Sequence, residues 1–388
     1  MTARAGIAPD SLVTRFVEPS EWKGMESEWT DLLCHSDANT FFLSWPWLWR
    51  WWESYGRGNP LRLITIRARD GRLVAVGPLY LRPPSSKGVR WGSELAFLGT
   101  GEVKSDYLDF IVRPDEAEAW RVALVESVLS SPGWDVLRLE GIPEGSGTLG
   151  VLGAALRRHG FPFRMEMEDI CPYLSLPGNG GRSLELIGKK FRSDIRHQRR
   201  GLERLGKLEF VVVTDPKDLP AAIEAFAELN RSRLTTKGIR GGFRSEQFTT
   251  LLQTVGRDLF AAGQLRLCLL LVESKPIAGL WIFAYAGKYL YYQSGLDQDL
   301  AWSRHSPGTI ILSFAIDQAI LEGMTEFDFL RGQEAYKSRW TKDVRRLVRS
   351  TAYRRTPAGL LARASDEAWG VARRLLRRRA DHRWRNTG

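Results

Sequence analysis

The chain has 388 residues, 43% apolar and 26% charged, a composition that excludes a disordered or fibrous protein and leaves room for two domains. Three scattered cysteines (Cys34, Cys171, Cys268) and five dispersed histidines encode neither a disulfide framework nor a structural zinc site, so no metal is expected. The net charge of +11 lies entirely in the C-terminal region, where Arg339 to Gly388 hold 15 basic and four acidic residues, and the rest balances 41 against 41; the body therefore carries no global preference for nucleic acid.

The N-terminus lacks the apolar core of a signal peptide, and no apolar run approaches the roughly 18 residues that span a bilayer, so a cytoplasmic protein is expected. A Trp-rich helical region follows, Trp22 to Tyr55. In SWPWLWRWW, Pro46 suits a first helical turn and Trp45, Trp49 and Trp52 share one face, the spacing of a helix that packs into a core. Strands Leu61 to Arg67 and Leu73 to Tyr80 flank a turn at Asp70 and Gly71; further strands end in SDYLDFIV, before a helix (Glu116 to Leu129) and a strand (Trp134 to Glu140).

The segment LSLPGNGGRS (Leu174 to Ser183) reads as a turn or linker. Beyond it the same order of elements returns: helices Leu219 to Arg233 and Glu246 to Ala262, strands Leu265 to Glu273, Ile277 to Tyr285 and Tyr289 to Gly295, helix Gly308 to Glu322, and strand Glu326 to Arg331. Two α/β domains of similar topology are expected, 1–176 and 177–350, with a basic tail over 351–388.

Three segments of the second half carry candidate chemistry. In KKFRSDIRHQRRGLERLG (Lys189 to Gly206) a narrow apolar stripe of Phe191, Ile195, Leu202 and Leu205 is surrounded by cations, among them Arg192 and Arg196, whose guanidinium forks suit phosphate; a solvated helix face is the alternative. At Arg304 to Thr309, Ser306, Pro307, Gly308 and Thr309 open a helix whose N-terminal amides can take an anion, and Asp297 and His305 are nearby proton-transfer candidates. In FDFLRGQEAYKSRW an apolar strand stops at Arg331 and Gly332 and is followed by Glu334, Tyr336 and Lys337, at the strand end where α/β domains usually bind ligands.

In the tail, Leu361, Ala364, Ala368, Val371, Ala372, Leu375 and Leu376 fall on one helical face, with Arg363, Arg373, Arg374 and Arg377 mostly opposite. Such a basic amphipathic helix packs on the body, lies on an anionic membrane surface, or, as the least favoured reading, binds nucleic acid.

The ordered series from the linker and basic helix (Leu174 to Gly206) through FAELNRSRLTTKG, LLVESKPIAGL, YYQSGLDQDLAWSRHSPG and AILEGMTEFDFLRG to EAYKSRW resembles the acetyltransferase family associated with bacterial cellulose and exopolysaccharide production (the CelD/BcsL type), within the GNAT superfamily. The resemblance covers the second half; the match at FFLSWPWLWRWW and KSDYLDF is looser. It implies tandem GNAT-like domains, each a mixed, mostly antiparallel sheet flanked by helices, similar to Fem-type aminoacyl transferases. It further implies acyl transfer from acetyl-CoA or another acyl-CoA to an amine or hydroxyl of a small-molecule or saccharide acceptor. The pyrophosphate loop maps onto Arg304 to Thr309, where R-H-S-P-G-T departs from the superfamily's glycine-rich pattern. Asp297, His305 and Glu334 are then base candidates and Tyr336 an acid. Arg331 or Lys337 would hold an anionic group, and Asp106 and Asp109 would reach the acceptor if the domains face each other. Two alternatives share this framework: an aminoacyl-tRNA-dependent transferase of Fem type, and a non-catalytic GNAT-like module of a polysaccharide synthase complex.

Overall fold

The computed structural model describes residues 13–84, 92–178, 180–236, 238, 243 and 245–370. The first half comprises β1 (Val13–Val17), α1 (Pro19–Trp22), α2 (Glu26–Cys34), α3 (Trp45–Tyr55), β2 (Leu61–Arg67), β3 (Leu73–Arg82), β4 (Glu94–Phe97), β5 (Ile111–Val112), α4 (Ala117–Ser130), β6 (Val136–Pro143), α5 (Gly147–Arg158) and β7 (Phe163–Ser175). The second comprises α6 (Lys189–Glu203), β8 (Leu208–Val212), α7 (Leu219–Thr236), α8 (Glu246–Ala261), β9 (Leu265–Val272), β10 (Lys275–Tyr285), β11 (Lys288–Leu296), α9 (Leu300–Ser303), α10 (Pro307–Leu321), β12 (Glu326–Asp328) and β13 (Val344–Tyr353).

The thirteen strands among the described residues join one sheet, β1-β2-β3-β4-β6-β13-β7-β12-β11-β10-β9-β8, with β5 on β3. The central strands β3 and β10 read as near-continuous apolar runs because both of their faces are covered. The only parallel pairs among the described strands are β4 with β6 and β11 with β12. Each half is thus an antiparallel meander, a crossover helix (α4 or α10) and a strand parallel to the last of the meander, the tandem arrangement expected from the sequence.

The halves exchange their last strands. β13 pairs on one side with β6 and on the other with β7, while β7 continues past it to pair with β12. β13, which the sequence division places in the second unit, therefore lies among strands of the first.

Two packing details differ from the sequence reading. The deepest face of α3 is Trp47, Leu48 and Trp51, at most 1% exposed; Trp45, Trp49 and Trp52 are only partly buried and pack around Trp22 instead, with Trp49 edge-on to it at 5.2 Å. Tryptophans on both sides of one helix made either face a plausible core face. In the helix over 357–370, Leu361, Ala364 and Ala368 of the apolar stripe are exposed, and docking uses Ala362 and Asp366, which accepts bonds from Arg138 (2.9 Å) and the Tyr353 hydroxyl (2.8 Å). The remainder of that stripe, Val371 to Leu376, with Arg373, Arg374 and Arg377, lies outside the described residues. Among the described residues no helix is long and apolar enough to cross a membrane.

Candidate active site

Where β11 and β12 part, the second half opens. They pair over three positions only, Lys288 with Glu326, Tyr289 with Phe327, and Leu290 with Asp328. β12 then stops because Leu330 takes a left-handed conformation (φ 54°), fixed by its N–H donating to Asp328 Oδ1 at 2.7 Å. A bulky residue in that region is uncommon, and such backbone clusters at functional sites. β11 continues, and its register on β10 shifts: Trp281 faces Gln293 but Ile282 faces Tyr291, so Tyr292 is an extra residue. A bulge of this kind takes a peptide group out of the ladder and re-aims its neighbours.

Two confluent cavities fill this opening. The first, about 300 Å³, is lined by Leu280, Leu296, Asp297, Gln298, Ser303, Leu312 and the first turn of α10, Ser306 to Thr309. The second, about 250 Å³, reaches across to the first half and is lined by Glu102, Lys104, Asp106, Asp169, Tyr292, Arg331, Glu334 and Lys337, among others. Arg233, Tyr291, Ser294 and Tyr336 line both and so form the junction.

On the first cavity, Asp297 caps a turn. Burial works to raise its pKa, but the Asp299 amide (3.0 Å to Oδ1) and Lys275 (3.0 Å to Oδ2) prevail and hold it below the ordinary carboxylate range. At Gly308 an added Cβ would press on the Leu296 side chain, at 3.3 Å. The Thr309 and Ile310 amides are spent on the Ser306 carbonyl (2.9 and 3.3 Å) and Pro307 has none, so Gly308 supplies the first-turn N–H left for an anion among the described bonds. Arg304 and His305 are outside the lining. The His305 ring sits where a side chain on Gly201 of α6 would be, turned away from the cavity, and burial together with Arg304, His197 and Arg204 lowers its pKa.

At the junction, Tyr336 is half-buried and interacts with the Tyr291 hydroxyl; desolvation, with the Tyr291 and Glu334 charges behind it, raises its pKa far above the usual phenol value, so it stays a proton carrier. Glu334 is about half exposed and pairs with Lys337 at 3.0 Å. Burial would raise its pKa, but Lys337 and Arg233 leave it lowered, hence ionised at neutral pH. Lys337 is itself buried, and its Nζ donates to the carbonyls of Leu330 (3.1 Å) and Arg331 (2.8 Å). It clamps the loop that carries Glu334 and is not a free anion holder.

Arg331 is engaged in the same way. Its Nε meets the Asp106 carboxylate, its Nη1 reaches Glu168 (3.3 Å) and its Nη2 donates to Ser105 O (3.0 Å). Asp106 and Arg331 therefore form an ion pair between the halves at the cavity wall. Asp109 is buried elsewhere, against Ser146 and the Phe110 amide (2.7 Å), and does not line either cavity. Arg192 donates to Ile187 O (3.2 Å), and it and the exposed Arg196 lie on α6 outside both cavities.

The junction residues Arg233, Tyr291 and Ser294 escaped sequence reasoning. A signal existed in NRSR, where Asn230 and Arg233, one turn apart on α7, both donate to the Ser294 carbonyl (2.8 and 3.5 Å) and mark where that helix meets β11. The equivalent opening in the first half is plugged. The loop 105–108 lies between Gly99, just past β4, and Gly141 of β6, whose added Cβ atoms would meet Ser105 Oγ (2.8 Å) and Ser105 O (3.4 Å); Leu108 and Phe110 fill the space, with Phe110 edge-on to Phe97 at 5.5 Å.

Comparison with known proteins bears on the fold. Residues 189–338 match the family described as Acetyltransferase (GNAT) domain. The crystal structure of FemX aligns with TM-score 0.59 at 11% identity, covering 90% of this chain and 99% of that one. The C-terminal domain of a putative lysylphosphatidylglycerol synthetase from Agrobacterium fabrum aligns with TM-score 0.51 at 12% identity, covering 88% and 95%. A Bacteroides thetaiotaomicron protein of unknown function aligns with TM-score 0.50 at 12% identity, covering 88% and 99%. No curated protein matches the sequence. The fold is a tandem of GNAT-like α/β units, the second of which holds both the segment that matches the acetyltransferase family and the open cleft.

Proposed function

We propose that the protein is an acyltransferase that takes an acyl group from acyl-CoA at the first cavity and passes it to an amine or hydroxyl acceptor in the second, in exopolysaccharide or cell-envelope polysaccharide biosynthesis. The observation that carries this reading is the pair of cavities meeting at Arg233, Tyr291, Ser294 and Tyr336 inside the acetyltransferase-like domain. A two-substrate transfer needs two such compartments and one shared wall. Gly308 and the Ser306 to Thr309 turn would face the donor's phosphates, and the cavity beyond them suits a narrow thioester arm. That turn offers few amides, and Arg304 and Arg204, grouped around the His305 ring outside the cavity lining, would add positive charge.

The residues at the junction match the steps of acyl transfer. Glu334, ionised and on the acceptor side, accepts the acceptor's proton; the bulged peptide at Tyr292 and the Arg233 guanidinium stabilise the oxyanion; Tyr336, kept neutral by burial, protonates the leaving group. Because Glu334 has a lowered pKa it is a modest base. For an amine acceptor, kcat/KM should then rise with pH until the acceptor's own amine is free. Replacing Tyr336 by Phe should lower kcat by about 10²-fold or more, whereas His305→Gln should leave it unchanged.

Calorimetric titration with acetyl-CoA, on the wild type and on Gly308→Glu, tests the donor. Binding that disappears in the folded variant supports the proposal; absence of binding in the wild type overturns it. The basic helix α6, with Lys189, Lys190, Arg196 and Arg200 exposed and its C-terminal end against the His305 turn, favours a second reading, in which the donor is an aminoacyl-tRNA. Transfer from charged tRNA, with none from acetyl-CoA, would establish it.

A further inference from the structure

We propose that the helix beginning at residue 357 is a peripheral anchor for anionic lipid bilayers. An advance of 100° per residue places Gly359, Ala362 and Asp366 on one side of this helix, and this is the side that docks on the body: Gly359 and Ala362 are buried, and Asp366 bonds to Arg138 and Tyr353. The approach is close, since a Cβ on Gly359 would collide with the Arg354 carbonyl and lie 2.9 Å from that of Asp135. The orientation is therefore fixed by backbone contact and by a carboxylate, not by the helix's own apolar residues.

Its consequence is that the apolar face looks outward. Leu360, Leu361 and Trp369 are 49, 54 and 43% exposed, and Ala364 and Ala368 lie with them in solvent. An amphipathic helix that merely covers a core does the reverse. In sequence the same stripe continues through Val371, Ala372, Leu375 and Leu376, and residues 371–388 carry seven arginines and one acidic residue. Aliphatic groups on one face, with the exposed Trp369 indole at its margin and the arginines of the sequence mostly on the opposite side, suit the boundary between acyl chains and anionic headgroups. A nucleic acid would use the arginines but gain little from exposed leucines, which is why lipid is the occupant argued here.

The site is also remote from the cleft. β13 runs from Leu347, paired with the cleft-lining Asp169, to Tyr353 under the helix, a span of about 20 Å at the usual rise of a strand. Anchoring and chemistry are thus separable.

The test is co-sedimentation of the full chain with phosphatidylcholine vesicles with and without phosphatidylglycerol, for the wild type, Leu361→Asp, Trp369→Ser and a deletion of 371–388. The expected result is binding only to the anionic vesicles, weakened by about tenfold or more in Leu361→Asp, weakened in Trp369→Ser, and abolished by the deletion, with unchanged melting temperatures because the substituted side chains are exposed. Equal binding by all four proteins, or none to anionic vesicles, overturns the proposal. Self-association lost in Leu361→Asp, or RNA binding lost in the deletion, each without vesicle binding, overturns it in favour of a second copy or of nucleic acid.

Discussion

Replacing Arg331 by Met should destabilise the folded protein by about 3 to 5 kcal/mol, the usual cost of leaving a buried charge without its partner. The magnitude follows from what the guanidinium satisfies at once: the Asp106 carboxylate, 1% exposed, the Glu168 carboxylate, 7% exposed, and the carbonyl of Ser105. Burial already pushes the Asp106 pKa up against the pull of Arg331, so in the variant Asp106 should take up a proton more readily than in the wild type. The sign follows: a neutral Asp106 costs less to bury, and the destabilisation should be smaller at about pH 5 than at about pH 8. Urea denaturation at both pH values measures it, and Asp106→Asn combined with Arg331→Met should recover part of the loss, a coupling that independent sites would lack. If Arg331→Met loses less than about 1 kcal/mol at either pH while acyl transfer collapses, the arginine holds substrate and the reasoning is wrong.

Asp328 gives a second pH signature. Burial pushes its pKa up to about 6, above an ordinary 3.8, so between those values the folded state holds a proton that the unfolded chain has released. Stability should fall as pH rises through that window, by up to about 3 kcal/mol, and Asp328→Asn should flatten this slope in melting experiments run between about pH 4 and pH 7. Gly295 allows β11 to lie against α7, where an added Cβ would meet Leu229 Cβ at 2.5 Å and the backbone N of Asn230 at 2.7 Å. Because one of those neighbours is backbone, Gly295→Ala should cost about 1 to 3 kcal/mol, and an unchanged urea midpoint would refute the close approach.

Local periodicity made much of the architecture readable in advance. β2 begins and ends at Leu61 and Arg67 as expected, and β9, β10, β11, α4 and α10 fall within a few residues of expectation, since alternating or helical burial is written into neighbouring residues. The stripe of Phe191, Ile195 and Leu202 is buried for the same reason, while Leu205, beyond the helix end, is partly exposed. What could not be read depends on partners distant in the chain. Arg331 looked like a free cation at a strand end because Asp106 precedes it by 225 residues. Lys337 looked available because nothing in its sequence says that the two carbonyls of its own loop turn towards it. His305 was a natural base until Gly201, a full domain element earlier, proved to be the gap that receives its ring. The pairing of β13 with β6 and β7 likewise has no local signature.

The placement of β13 also bears on how the chain is made. During synthesis the first half emerges with the edge of β6 open, because the strand that covers it lies at Val344–Tyr353 and is translated after almost all of the second half. β7 has to wait in the same way for β12. A ribosome-bound first half is therefore an unfinished sheet with an adhesive edge, and neither half can mature ahead of the other. Dissecting the protein at the linker would give two fragments that each lack a strand, so the natural unit for expression, for degradation and for evolution by duplication is the interlocked whole.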